Sequence, residues 1–435
     1  MKAIVIGAGL AGCESAYQLA KRGVKVTLYD MKPHKKSPAH TLNTFSELVC
    51  SNSLRSNDLS NAVGLLKEEM RKLGSIIMEA ADNTSVPAGG ALAVDRDEFS
   101  KYVTNKIKAF ENITVCDKEI TEIPQGEKVI IATGPLTSDG LSESIAKLLK
   151  NDYLHFFDAA APIVEKSSID FDLAYYAARY DKGEADYINC PMTKSEYDVF
   201  YNELINAKVA ELHEFDKKSM QLFSGCMPIE EMARNGEQTM LYGPLKPVGL
   251  TNPKTSTGDY AVVQLRQDNK EATLYNIVGF QTHLKFSEQK RVFGLIPALK
   301  NAEFVRYGVM HRNTFLDSPK VLTDNYNLSK NNDIYFAGQI TGVEGYIESA
   351  SSGMLAGIAL ARELLGQEKI DFDRNTEIGA LSKYVTDKTI KHFQPMNASF
   401  GIMAPPSYKV HSKKEKNEHL AKRSLEFINS IKDKI

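Results

Sequence analysis

Two sets of residues have types and spacing that suit chemistry. The first is Gly7-Ala8-Gly9-Leu10-Ala11-Gly12, followed by an acid at Asp30. Glycines in this pattern bring backbone close to a pyrophosphate. Gly7 permits a tight turn, Gly9 removes a side chain, and Gly12 lets a helix pack close to a strand. The second set is the cysteines Cys13, Cys50, Cys116, Cys190 and Cys226. They are scattered, form no CxxC pair and lack metal-ligand spacing. That argues against a disulfide framework or a zinc site and leaves reduced thiols for chemistry. Cys50 sits among small polar residues close to Arg55, a cation of the kind that activates a thiol. On residue type alone, a half-buried structural cysteine is the simpler account. Cys226 follows Gly225 in a turn from which a thiol can project.

The elements around the glycines have the order this chemistry needs. Lys2-Ala3-Ile4-Val5-Ile6 is a β-branched apolar run that reads as a buried parallel strand. Cys13 to Arg22 has helical periodicity, Gly23 closes that helix, and Val24 to Leu28 reads as a second strand ending at Asp30. The helix N-terminus then offers N–H groups and a positive dipole end to phosphate, while Asp30 accepts from ribose hydroxyls. A dinucleotide, FAD or NAD(P), is expected here. Two more strands end in glycine. One runs from Lys128 to Ala132 and leads into Thr133 and Gly134. The other runs from Asp333 to Ala337 and leads into Gly338, Gln339, Gly345 and Tyr346, ahead of a helix from Met354 to Leu364. Closure of the site by a segment so far along the chain favours FAD as the tightly held cofactor.

Between these parts the texture changes. Strand-like pieces at 161–164, 260–265 and 273–280 alternate with proline- and glycine-rich turns and dense tyrosines. The expected architecture is α/β. A Rossmann-like dinucleotide domain (1–155, returning at 331–372) is interrupted by an inserted α+β substrate domain (156–330) and followed by a helical basic tail (373–435). Leu65 to Ala81 reads as one amphipathic helix. The net charge of −2 excludes a globally basic nucleic-acid binder, so RNA contact has to come from local patches. No apolar run approaches the roughly 20 residues of a membrane span. The N-terminus begins directly with a strand, so the expectation is cytoplasmic, without membrane or metal.

The chain resembles the flavin- and folate-dependent tRNA (uracil-5-)-methyltransferases, the TrmFO family. The resemblance covers nearly the whole chain and is carried by the GAGLAG turn, LVCSNSLRS at 48–56, FFDAAAPIV at 156–164, NCPM at 189–192, GCMPIE at 225–230, GPLKPVGL at 243–250, AVVQLR at 261–266, RYGVMHRNTF at 306–315 and FAGQITGVEGYIES at 336–349. The last string is shared with the related GidA-type tRNA-modifying flavoproteins. The resemblance implies a GidA-like FAD fold that moves the methylene of 5,10-methylenetetrahydrofolate to C5 of the T-loop uridine of tRNA, with NAD(P)H as reductant. A ribosomal RNA target and a plain FAD oxidoreductase are the alternatives. It also implies that Cys50 and Cys226 are the functional thiols, because C5 of uracil becomes nucleophilic once a thiolate adds at C6. His311 and Arg312 are candidates for folate or RNA, His283 is a weaker one, and Lys285, Lys290 and Arg291 are candidates for RNA phosphate. Buried structural use accounts equally well for His311, and a solvated helix face is the simpler account of Lys290 and Arg291.

Overall fold

In the computed structural model, the N-terminal apolar run forms strand β1 (Lys2–Ile6), with Val5 and Ile6 buried. The structure describes the chain except for residues 38–39, 50–51, 89, 150–153, 156–157, 182–184, 186, 211–227, 268–271, 312–314, 392, 409 and 411, and gives backbone alone at 154–155, 158–160, 181 and 309–311. Helix α1 (Leu10–Lys21) begins three residues earlier than its periodicity suggested, because Gly9 is its N-cap. Strand β2 (Lys25–Asp30) runs parallel to β1, pairing Val5 with Leu28. Strand β3 (Ser53–Ser56) pairs antiparallel with Ala91–Val94. The segment expected as one helix is two, α2 (Ala62–Lys72) and Ile76–Asn83. Gly74 between them sits at φ +74°, and Ser75 caps the second helix by accepting from the Met78 N–H. Strands β4 (Ile113–Asp117) and β5 (Val129–Ile131) extend the parallel sheet on either side of β1 and β2.

The middle of the chain builds a different sheet. Strands β6 (Ile163–Glu165), β7 (Tyr175–Ala177), β8 (Tyr187–Met192), β9 (Ala261–Gln267) and β10 (Leu274–Ile277) are followed by helix α3 (Phe286–Phe293) and strand β11 (Phe304–Arg306). The strands pair antiparallel in the order β7-β8-β9-β10-β6-β11. Tyr197, Phe200 and Leu204 of a helix at Lys194–Ile205 share one apolar core with Phe280, Val292 and Phe293. Strand β12 (Val309–His311) pairs with backbone 158–160.

The chain then returns to the first sheet. Strand β13 (Asn327–Leu328) lies antiparallel to β14 (Asn331–Phe336), and β14 runs parallel to β5. The completed order is β13-β14-β5-β1-β2-β4. Two compact units result: Met1–Phe156 with Asn313–Ile435, and Phe157–Arg312. The return begins earlier than residue 331, because β13 brings the preceding residues to the edge of β14. Helix α4 (Tyr346–Leu364) starts well before Met354 and packs on α1, where Ser15 Oγ donates to the Gly353 carbonyl at 2.9 Å.

The last segment is docked on this unit. Helices α5 (Glu377–Val385) and α6 (Lys413–Ile431) meet Glu69 of α2. The Glu69 carboxyl accepts from the N–H groups of Glu377 and Ile378 at 2.7 and 2.8 Å and from the Ser424 hydroxyl. Asn417 donates to the Ser60 carbonyl at 2.9 Å. Two of the exposed lysines of α6 lie one turn from acids, Lys414 near Glu418 and Lys422 near Glu426, which dilutes the helix's positive charge. Among the described residues, no helix is long and apolar enough to cross a membrane.

Burial raises the Glu69 carboxyl to about 7, outweighing the hydrogen bonds from Ser424, Glu377 and Ile378. An unfolded glutamate releases its proton near pH ~4.3, so the folded state binds the extra proton up to about pH 7. The unfolding free energy therefore falls as pH rises through that window. Urea titrations should show a shallower slope with pH for Glu69→Gln, and an unchanged slope would contradict this. Glu69→Ala strands two buried N–H donors and should cost about 1–3 kcal/mol for each.

Candidate functional site

The glycine turn is held open by backbone geometry and one carboxylate. Gly7 sits at φ +101° and its N–H donates to the Tyr29 carbonyl at 2.7 Å. A Cβ on Gly7 would lie 2.6 Å from the Ala132 oxygen, so only glycine fits. Asp30 is buried at the end of β2. Its Oδ2 accepts from the Ala8 N–H and its Oδ1 from the Lys32 N–H, each at 2.8 Å. The acid thus fastens the turn as well as facing the cavity beside it. Gly9 and Gly12 differ in kind. A Cβ on Gly12 would lie 1.7 Å from the Gly7 oxygen, whereas a Cβ on Gly9 would meet no protein atom within 4 Å.

The cavity above this turn is lined by Gly7, Ala8, Gly9, Leu10, Ala11 and Asp30 from the first segment, Thr133 and Gly134 after β5, and Gly338, Gln339 and Tyr346 after β14. Gly12 and Gly345 stay off the lining. Gly12 acts through packing, and Gly345, at φ +116°, turns the chain into α4 where a Cβ would lie 2.1 Å from Glu348 Oε2. The polar loop after β2 contributes Lys32, Ser37, His40 and Ser46. Burial, together with the nearby Lys32, pushes His40 down, which favours its neutral ring. Ser46, Thr137 and Ser349 also line the cavity, and no local pattern in the sequence marks them.

Three observations show that this cavity fits a dinucleotide. The cradle at Gly9 is open. No side chain caps the N-terminus of α1, which leaves its first N–H groups for a phosphate. Ser46 Oγ is buried in the wall with no partner among the described residues beyond the weak Cys13 thiol, and a polar ligand would satisfy it.

Cys50, Cys226 and Arg312 lie outside the described residues. The other thiols are poor nucleophiles or unremarkable. Burial pushes Cys13 up to about 12 and raises Cys190 further, while Cys116 is half-buried on β4. Arg55, the cation expected to serve Cys50, is committed elsewhere. It sits at φ 67° and its Nη1 donates to buried Glu348 Oε1 at 2.9 Å. Buried Lys67, pushed down to about 8 by burial, donates to the carbonyls of Arg55 and Ser56. These contacts tie β3 to α2 and α4.

In the unit Phe157–Arg312, His311 lies on β12 opposite Asp158. His283 is buried, and its N–H donates to Glu230 Oε1 at 2.7 Å with its Nδ1 3.5 Å from the same oxygen. Lys285, at the N-cap of α3, and Lys290, within it, are exposed and have no ion pair among the described residues. Arg291 is spent on Glu203 and on Glu288 at 2.8 Å.

Residues 2–368 match the family described as Glucose inhibited division protein A. Similarity to proteins named Methylenetetrahydrofolate--tRNA-(uracil-5-)-methyltransferase TrmFO extends over the whole chain. The one from Acetivibrio thermocellus is 61% identical over 430 residues, covering 99% of this chain and 98% of that protein. The one from Bacillus subtilis is 58% identical over 427 residues, covering 98% of each. The chain belongs to the TrmFO family. A solved GidA of Aquifex aeolicus is 18% identical, with a TM-score of 0.51 over 99% of this chain and 76% of that one, which shows a shared GidA-like fold. In TrmFO terms, the strings around Gly7 and Gly338 converge on one cavity, which Thr133 also lines, while His311 lies in the other unit.

Gly9→Ala and Gly12→Ala should therefore fail differently. Gly9→Ala meets only the space a pyrophosphate would use, so the protein should purify without flavin absorbance yet keep the urea midpoint of flavin-stripped wild type. Gly12→Ala collides with backbone and should lose stability as well. A full flavin spectrum in Gly9→Ala would contradict the assignment of the cavity.

Proposed function

We propose that this chain methylates C5 of the T-loop uridine of tRNA, with 5,10-methylenetetrahydrofolate as carbon donor, FAD in the cavity at the glycine turn and NAD(P)H as reductant. The observation that carries the reading is the match to relatives named for that reaction at 58–61% identity over the full length. The fit of the cavity to a dinucleotide supports it. Bound FAD would supply the electron pair that turns a transferred methylene into a methyl group.

The chain's own residues have the remaining tasks. Gly7 to Gly12 and the N-terminus of α1 take the pyrophosphate, and Asp30 takes the ribose. Thr133, Gly134, Gly338, Gln339, Gly345 and Tyr346 complete the cofactor site, Gly345 through the turn it makes. A thiolate from Cys50 or Cys226 adds at C6 of the uracil, which makes C5 nucleophilic. C5 then bonds to the methylene carbon, the bond from that carbon to tetrahydrofolate breaks, and the C5 proton leaves to the second thiol before C6 is released. The unit Phe157–Arg312 is the folate and RNA domain, with His311 and Arg312 toward folate or RNA and Lys285 and Lys290 on phosphate. Arg291, paired with two acids, contributes less. These substrates are cytoplasmic, and the enzyme acts there. The relatives, which are named as tRNA methyltransferases, favour tRNA over ribosomal RNA.

Cys50→Ala and Cys226→Ala should each keep flavin and fold but lose 5-methyluridine formation by at least about a hundredfold, the scale of a lost covalent or acid–base step. Cys13→Ala and Cys116→Ala should remain active. Nucleoside analysis of tRNA and 23S ribosomal RNA transcripts checks both points. Near-normal turnover in both Cys50→Ala and Cys226→Ala, or product in ribosomal RNA alone, would overturn the reading.

A further inference from the structure

The unit Phe157–Arg312 carries a column of parallel rings that ends in solvent. Phe304 lies against core residue Phe293, with ring centroids 6.4 Å apart. Tyr307 stacks on Phe304 at 5.3 Å and 10°, and Phe286 stacks on Tyr307 at 5.1 Å and 15°. Phe286, the first residue of α3, is 56% exposed even with Tyr307 against its ring. The accessible area therefore belongs to its outer face and edge.

The column is rigid at its base. Buried Gln289 donates to the Gly308 carbonyl and accepts from the Gly308 N–H, each at 2.7 Å, which clamps the turn bearing Tyr307 to α3. Lys285 precedes Phe286, and Lys290 lies one turn on along the same helix face. Both are exposed and lack an ion pair among the described residues. A second stack, Phe171 on Tyr176 at 5.7 Å, differs in that Lys166 sits over the Tyr176 ring at 5.6 Å.

A fixed flat face between uncommitted cations suits a flat ring that carries phosphates. Among the described residues, its neighbours along the chain and helix face are Lys285, Ser287 and Lys290, a polar and cationic setting that favours a phosphate-bearing partner over an apolar protein surface. Methylation at C5 also requires a loop base to leave its stack, and an extruded base needs a surface to rest on. We propose that Phe286 is the stacking platform for an unpaired base of the RNA substrate, with Lys285 and Lys290 on the adjoining phosphates. The proposal rests on the RNA-methylating reading above and adds the surface that holds the loop.

The chain contains no tryptophan, so flavin-loaded Phe286→Trp carries a single indole reporter at the platform. A T-arm transcript should quench that emission while binding as tightly as to wild type. Phe286→Ala should bind the transcript roughly ten- to a hundredfold more weakly, with an unchanged slope of log Kd against log salt. Lys285→Ala and Lys290→Ala should each lower that slope by about 1. The KM for methylenetetrahydrofolate should not move in Phe286→Ala. Wild-type affinity in Phe286→Ala overturns the platform, as does a loss confined to the folate KM. An absence of quenching in Phe286→Trp overturns it even if Phe286→Ala proves unstable. Wild-type protein measured in parallel separates this from the functional reading. If it forms 5-methyluridine while the Phe286 variants behave as wild type, only the platform fails.

Discussion

The close approach of α1 and α4 is the constraint on which the cofactor cavity depends. A Cβ on Gly353 would lie 2.2 Å from the Ala11 oxygen, and one on Gly357 would lie 2.9 Å from the Ser15 oxygen. Gly12 allows the same intimacy between α1 and the turn at Gly7. Residues 338 positions apart, Ser15 and Gly353, share a hydrogen bond as a result. Interiors this tightly packed do not absorb even one added carbon without backbone shifts. The same contact sets the N-terminus of α1 beside Gly338 and Tyr346, so packing and ligand geometry are one feature. The long middle unit can interrupt the chain without disturbing it, because the sheet is completed by β14 entering next to β5.

Buried acids tie the periphery to that centre. Glu69 holds the start of α5 and reaches α6, and Glu348 holds Arg55 and the Ala398 N–H. Each joins segments hundreds of positions apart. The charge that sequence proximity offered to Cys50 is therefore spent on architecture.

Much of the nucleotide unit was legible because its signals are local. A β-branched run, a glycine pattern, a 3.6-residue period and an acid at a strand tip all lie within Lys2 to Asp30. The split of the unit was legible from two further strands that end in glycine. Other features were not. The helix break at Gly74 depends on a left-handed glycine and on Ser75 as a cap, which one apolar stripe running through both helices conceals. The early start of α4 at Tyr346 is hidden by its small residues, which read as loop until a neighbouring helix packs on them. Docking of the last helices rests on Glu69, and nothing in its neighbourhood in sequence points to Glu377 or Ser424. The ring column at Phe286 joins α3 to the segment after β11, so no local pattern contains it.

The most direct test follows the carbon. Flavin-loaded protein, NADPH and a tRNA transcript would be incubated with methylenetetrahydrofolate carrying carbon-13 in its methylene group, with unlabelled S-adenosylmethionine present. Mass spectrometry of the digested nucleosides should show 5-methyluridine carrying the heavy carbon. Unlabelled 5-methyluridine, or none at all from protein that retains its flavin, would contradict the account.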